Sequence, residues 1–162
     1  MKDLFEKISS YNLFNYLFPG IVFVILAKGL TKYSFIQLNI IIGLFFYYFI
    51  GLVISRIGSL IIEPILKYIS FIHFVDYRKF VAASKEDGKL EILSEVNNIY
   101  RTLCSTFLLL IILKLFEKVE GICPSISDWR APLLLIALLI LFLLSYRKQT
   151  EYITKRIQAN RD

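Results

Sequence analysis

The chain has 162 residues, of which 57% are hydrophobic and 20% charged, and its formal net charge is +6. A soluble domain usually has about 45–50% apolar and roughly 25% charged residues. The excess lies in runs long enough to cross a bilayer as a helix, which takes about 20 residues, and too little apolar sequence remains for a separate soluble core. The basic residues flank these runs and form no stripe interleaved with aromatics, so we expect membrane lipids as partners and no nucleic acid. The composition predicts an all-α membrane protein, a single domain over residues 1–162.

The first predicted span covers residues 11–30 and is interrupted by Pro19-Gly20. Proline lacks a backbone N–H and clashes with the preceding turn, which leaves two forms open. One is a kinked helix. The other is an interfacial helix over residues 2–18, followed by a short span that Pro19 opens at its first turn.

The second predicted span covers residues 36–62, with helix continuing as far as Pro64. It carries small side chains at four-residue spacing, a pattern that lets helices approach closely in lipid. These candidate interface residues are Gly51, Ser55 and Ser59. They indicate either packing within the bundle or an interface between copies, and we expect the protein to be a homo-oligomer.

Two charged residues lie near the end of this span. Arg56 and Glu63 are two helical turns apart, so they share one face of the helix. Charged residues inside a membrane are costly and often mark function. The pair is interpreted either as a structural ion pair near the membrane surface or as part of a polar pathway.

The central segment, residues 63–101, is the one sizeable polar region, and its six acidic and six basic side chains balance. Asp76 is suited to cap a helix that begins at Tyr77. From Lys89, apolar residues recur at helical spacing, which predicts one helix that runs without interruption into the third span. The segment therefore reads as a helical hairpin at the membrane surface.

Hydrogen-bonding side chains are concentrated where this helix enters the third span. They are either ordinary interface chemistry or a docking surface for a cytoplasmic protein partner. The candidate docking residues are Ser94, Asn97, Asn98, Tyr100 and Arg101.

The third and fourth predicted spans cover residues 99–116 and 131–146, and Trp129 between them is typical of a membrane interface. The tail, residues 147–162, predicts a continued amphipathic helix in which Glu151 pairs with Lys155. Thirteen lysine and arginine residues fall in the two termini and the central segment, against five in the other two connections. Because basic residues favour the cytoplasmic side, we expect both termini and the hairpin in the cytoplasm, with the protein in a bacterial inner membrane.

No motif in the sequence carries catalytic chemistry. His73 and Asp76 are the only acid–base candidates, and one pair is not a catalytic constellation. We therefore expect no catalytic residues, no metal and no cofactor.

The leading hypothesis is a non-enzymatic, self-associating membrane component coupled to a cytoplasmic partner or stimulus. It would act as a membrane anchor or as an effector that permeabilises the membrane. The size and layout are similar to those of membrane-acting effectors of bacterial self-defence, an analogy at the level of architecture only. The alternative is a channel or transporter subunit for an ion or small solute.

Overall fold

The computed structural model describes residues 12–159, and every regular element in that range is a helix. The helices are α1 (Leu13–Leu30), α2 (Ile40–Tyr68), α3 (Tyr77–Glu86), α4 (Lys89–Ile122) and α5 (Ile126–Ala159). Four of them, α1, α2, α4 and α5, are long and apolar enough to cross a membrane. The all-helical fold and the four candidate spans are therefore confirmed.

Both α1 and α2 continue through a proline by widening a turn. A π-helical turn, Leu13–Leu17, precedes Pro19 in α1, and a second one, Gly58–Ile62, precedes Pro64 in α2. In α2 the Glu63 N–H donates to the Gly58 carbonyl, five residues earlier. The predicted stop at Pro64 is thus wrong, because α2 passes it and runs to Tyr68. An interfacial helix over residues 2–18 lies largely outside the described residues.

The ends of the helices follow from local side-chain and backbone bonds. Asn39 caps α2 by accepting from two backbone N–H groups, which moves its start from the predicted residue 36 to Ile40. Ser70, in the left-handed region at φ 58°, ends α2, and the next N–H bonds back to the Leu66 carbonyl. Asp76 caps α3 as predicted, and the uninterrupted α4 is confirmed.

Helices α1, α2 and α4 form a close-packed unit, here called the three-helix core. Gly20 of α1 lies against the carbonyl of Tyr47, and Gly51 of α2 lies against the carbonyl of Tyr16. A Cβ at either glycine would overlap that backbone oxygen. Such backbone contact is how small residues join helices in lipid, where apolar burial gives little driving force.

Helix α5 packs much more loosely than the core. In its most apolar stretch 6% of the residues are buried, against 22% to 28% in the other three long helices. A ring contact between Phe49 and Phe142, with centroids 6.1 Å apart, joins its middle to α2. Near its C-terminal half, Tyr152 meets Tyr77 of α3. The polar attachments of α5 lie on either side of its apolar stretch, at Arg130 and Lys148.

Candidate functional site at the Glu63 end of the bundle

A buried hydrogen-bonded group joins the three helices of the core. Asn15 of α1 is 1% exposed, and its amide nitrogen donates to the Ser55 hydroxyl of α2 at 3.3 Å. The Thr102 hydroxyl of α4 donates to the Asn15 amide oxygen at 2.9 Å. The Ser55 of the small-residue stripe is thereby engaged inside the chain. A buried polar group needs such partners, because leaving one unpaired in an apolar medium is costly.

Farther along α2, a buried carboxylate joins three helices by charge. Glu63 is 6% exposed, and its two oxygens lie 2.6 Å from Arg101 of α4 and 2.9 Å from Lys67 of α2. Lys148 of α5 lies 3.9 Å away. These residues and Ser59 are called the Glu63 cluster. An isolated buried carboxylate would cost several kcal/mol, so the three cations stabilise its charged form.

Lys148 also satisfies a backbone carbonyl that α2 leaves without a donor. In the register of the π-helical turn, the Ser59 carbonyl would accept from the backbone nitrogen of residue 64, but Pro64 has no N–H. The Lys148 ammonium donates to this carbonyl at 2.5 Å and to the Ser59 hydroxyl at 2.8 Å. A proline in α2 therefore creates the acceptor that holds α5.

A second buried carboxylate lies at the opposite end of the bundle. Glu120 of α4 is 4% exposed and accepts from the Tyr33 hydroxyl at 2.5 Å. It also pairs with Lys32 at 2.7 Å and with Arg130 of α5. Burial and the hydrogen bond to this carboxylate raise the pKa of Tyr33 to about 12. With Glu117, which accepts from the backbone N–H of Lys32, these residues form the Glu120 cluster.

The two clusters are separated by a nearly constant length of helix. Arg101 and Glu120 are 19 residues apart on α4, or about 28 Å at a rise of about 1.5 Å per residue. Arg130 and Lys148 are 18 residues apart on α5, or about 27 Å by the same rise. Both lengths are close to the thickness of a bilayer hydrocarbon core, about 30 Å.

A pocket of about 220 Å³ opens beside the Glu63 cluster, between α2 and α5. Its walls include three lysines, Lys67, Lys148 and Lys155, with Tyr152 on the α5 side. The predicted pairing of Glu151 with Lys155 is replaced by one with Arg147, one turn earlier, at 3.1 Å. Within residues 12–159, Lys155 has no ion-pair partner.

The structure places the predicted small-residue stripe inside the chain. Gly51 contacts α1, Ser55 joins the buried group with Asn15, and Ser59 accepts from Lys148. Arg56 does not pair with Glu63 in the described part of the chain. Its guanidinium reaches the Tyr16 hydroxyl at 3.4 Å.

The candidate docking residues divide into two groups. Arg101 pairs with Glu63 of α2, and Asn98 is half-buried, so neither side chain is freely accessible. Tyr100 is 64% exposed and Asn97 is also exposed, whereas Ser94 is half-buried. The structure therefore leaves Asn97 and Tyr100 as the accessible part of this surface.

Lys148, Thr102 and the Glu120 cluster were not singled out from the sequence. In the sequence Lys148 is one of several basic residues after a span, and Thr102 is an ordinary polar residue at a span end, so neither is distinguished from its neighbours. Comparison of the chain with family models, with curated proteins and with solved structures finds no significant match.

Proposed function

We propose that this protein is a non-enzymatic membrane anchor that couples a cytoplasmic partner or stimulus to the bilayer. The observation that carries the proposal is the unbroken helix α4, 34 residues from Lys89 to Ile122. Its length is about 51 Å at a rise of about 1.5 Å per residue, so about 20 Å remains beyond a hydrocarbon core of about 30 Å. A single rigid helix then links the hairpin to the membrane-spanning part.

The placement in the membrane is supported by charge at both ends of the bundle. The Glu63 and Glu120 clusters lie about one hydrocarbon thickness apart on α4 and α5, which fits one cluster at each membrane surface. The excess of lysine and arginine in the termini and hairpin supports the cytoplasmic side for the Glu63 end. The protein would then lie in a bacterial inner membrane with both termini in the cytoplasm.

The part of α4 that would extend beyond the Glu63 end is the proposed docking surface. Asn97 and Tyr100 are exposed there, while Arg101 ties the same helix to Glu63 of α2. A partner bound at this surface would act on the core through the Arg101–Glu63 ion pair. This gives the coupling a defined path: hairpin, α4, and then the charged junction of three helices.

Photo-crosslinking in living cells tests the docking surface directly. A photoreactive phenylalanine analogue replaces Tyr100 in one variant and Phe107, exposed two turns farther along α4, in the matched control. The proposal expects a discrete crosslinked protein species at position 100 and none at position 107, which would face lipid. The same species at both positions, or none at position 100, would contradict docking at this surface.

The proposal includes the absence of enzymatic activity. It is supported by the positions of His73 and Asp76, the two acid–base candidates. Asp76 accepts from the Arg78 N–H as the cap of α3, so its carboxylate has a structural task. His73 is exposed in the preceding connection. Both are therefore assigned to the surface of the hairpin region.

A second candidate function is a self-associating effector that permeabilises the membrane, or a channel or transporter subunit. The observation that favours it is the exposure of α5, whose most apolar stretch is 6% buried in one copy. Because the small-residue stripe of Gly51, Ser55 and Ser59 is buried inside the chain, α5 would provide the contact between copies. The analogy with bacterial self-defence effectors belongs to this candidate.

Membrane potential separates the two candidates. A voltage-sensitive dye is read in bacterial cells producing the native chain or Lys148→Met, with Lys118→Met as a control of equal charge change at the other end. Depolarisation by the native chain and the control, but not by Lys148→Met, would favour the conducting assembly. An unchanged potential in all three would count against an open conducting assembly and favour the anchor.

A further inference from the structure

The pocket beside the Glu63 cluster carries positive charge that no carboxylate among residues 12–159 neutralises. Glu63 is engaged by Arg101 and Lys67, and the other carboxylate in the wall, Glu151, is engaged by Arg147. Lys155 in the same wall is exposed and has no ion-pair partner among residues 12–159. An unneutralised ammonium at the rim of a pocket favours an anionic ligand.

Lys148 adds to this positive charge. Its ammonium lies 3.9 Å from Glu63, a longer separation than those of the other two cations, and its short contacts are to the Ser59 carbonyl and hydroxyl. Both short contacts are neutral acceptors, so they orient the ammonium and leave its charge in place. The Tyr152 side chain in the same wall supplies a hydroxyl donor.

Exposed apolar residues of α2 lie close in the chain to the residues that line the polar pocket. Pro64 lines the pocket, and the neighbouring Ile65 is 53% exposed. Ile61, one turn toward the Glu120 end of α2, is also exposed. A ligand that suits this combination has an anionic head and an apolar body, which is the chemistry of a membrane lipid.

The depth of the pocket fits a lipid headgroup. Lys148, in its wall, is about 27 Å from Arg130 along α5, so the pocket lies at one edge of the zone that spans about 30 Å of hydrocarbon. This step rests on the membrane placement given under the proposed function. Basic pockets between membrane helices commonly bind anionic headgroups at such a depth.

We propose that this pocket binds the phosphate of an anionic phospholipid, with Lys155, Lys148 and the Tyr152 hydroxyl as donors. The acyl chains lie toward Ile61 and Ile65. A zwitterionic lipid carries the same phosphate together with a cationic group, which the lysines repel. The pocket therefore discriminates by net charge of the headgroup.

Native mass spectrometry of the full chain in detergent tests the proposal. The protein is incubated with an equimolar mixture of phosphatidylglycerol and phosphatidylcholine, and the bound lipids are counted. Lys155→Gln is compared with Lys155→Arg, which keeps the charge, and with Lys118→Gln, which removes one lysine at the opposite end. Since Lys155 makes no ion pair within the described residues, its substitution leaves the packing of the bundle intact.

The native chain, Lys155→Arg and Lys118→Gln are expected to prefer phosphatidylglycerol. Lys155→Gln is expected to lose about fivefold of that preference, the effect of about one lysine beside an anionic lipid. An equal preference in all four proteins, or an equal loss in Lys118→Gln, would overturn the proposal. A parallel arm adds inorganic phosphate. If phosphate at a millimolar concentration displaces the lipid completely, the pocket binds free phosphate and the lipid assignment is overturned.

This test is independent of the proposed partner. It uses purified protein without a cytoplasmic component, and its readout is lipid selectivity. A missing crosslink at position 100 with a retained lipid preference would refute the docking surface alone. A retained crosslink with no lipid preference would refute the lipid site alone.

Discussion

The three-helix core and α5 are held by different interactions. In the core, Gly20 and Gly51 bring α1 and α2 into backbone contact, and Asn15 joins both to Thr102 of α4. Helix α5 is attached chiefly by charge, through Lys148 at one end and Arg130 at the other. Backbone contact tolerates little displacement, whereas a long lysine side chain can keep its hydrogen bond while the helix shifts.

The core contacts therefore determine the stability of the bundle, whereas the polar contacts of α5 determine where α5 is attached. Substitutions in the core are expected to lower the free energy of unfolding of the bundle, because they act on contacts shared by three helices. Substitutions at the ends of α5 are expected to alter its position while the core stays folded.

Gly51→Leu is expected to be the most damaging single change. Its side chain would overlap the Tyr16 carbonyl and force α1 away from α2, at a cost of about 3 kcal/mol in free energy of unfolding. Unfolding in mixed detergent and denaturing micelles measures this value. The matched control is Gly29→Leu, because a side chain at Gly29 meets nothing within 4 Å. Equal losses in the two variants would contradict the close packing of α1 on α2.

Thr102→Val is expected to lower the free energy of unfolding by about 1 kcal/mol, the upper range for a polar contact between membrane helices. The change keeps the shape and removes the hydroxyl that bonds to Asn15. Thr106→Val is the control, because the equally buried Thr106 hydroxyl bonds to a carbonyl of its own helix. A control loss as large as that of Thr102→Val would mean that the bond between helices contributes nothing measurable.

The contact of Lys148 with Ser59 is expected to depend on Pro64. In Pro64→Ala the new N–H can donate to the carbonyl that Lys148 now satisfies, so Lys148→Met should cost less in that background. A double-mutant cycle on the free energy of unfolding is expected to give a coupling of about 0.5 kcal/mol. Additive effects of the two substitutions would show that the proline has no part in attaching α5.

The smallest predicted effect concerns Tyr33 at the other end of α5. Its pKa is raised from about 10 to about 12 by burial and by the hydrogen bond to Glu120. Because the folded-state pKa is raised, the contribution of Tyr33 to stability is complete below pH 10 and is lost as the pH rises from about 10 through about 12.

Glu120→Gln is expected to move the titration of Tyr33 toward its ordinary value. Tyrosinate absorbance against pH, taken as the difference between each protein and its Tyr33→Phe partner, isolates this one side chain. Glu151→Gln, at the opposite end of the bundle, is the control and should leave the titration near pH 12. A titration that ignores Glu120→Gln would contradict the hydrogen bond.

Hydropathy and helical spacing predicted the number and order of the long helices. They did not predict the polar contacts between those helices. The four candidate spans follow from runs of apolar residues, and the unbroken α4 follows from Ile92, Val96 and Ile99 at helical spacing. The passage of α2 through Pro64 was missed, because a π-helical turn leaves no trace in hydropathy. Pro64 is preceded by an apolar helix and followed by more apolar residues, and this pattern could have predicted that the helix continues.

The polar clusters were missed for a different reason. Lys148 and Ser59 are 89 residues apart in the chain, and Tyr33 and Glu120 are 87 apart. Sequence spacing constrains only neighbours on one helix, so it could place Arg56 and Glu63 on one face but could not choose the cation that Glu63 meets. Asn15 is one polar residue at the end of a span, and its burial depends on how α1 packs against α2 and α4.

In the proposed topology, α4 crosses the membrane and carries the hairpin and the Glu120 cluster to opposite sides. The exposed Cys123, which follows α4 directly, reports the Glu120 end once Cys104 is changed to serine. Lys85→Cys, made without the two native cysteines, reports the hairpin. A membrane-impermeant maleimide is expected to label Cys123 only in right-side-out vesicles and position 85 only in inverted ones. Labelling of both positions from the same side would show that α4 does not cross the membrane.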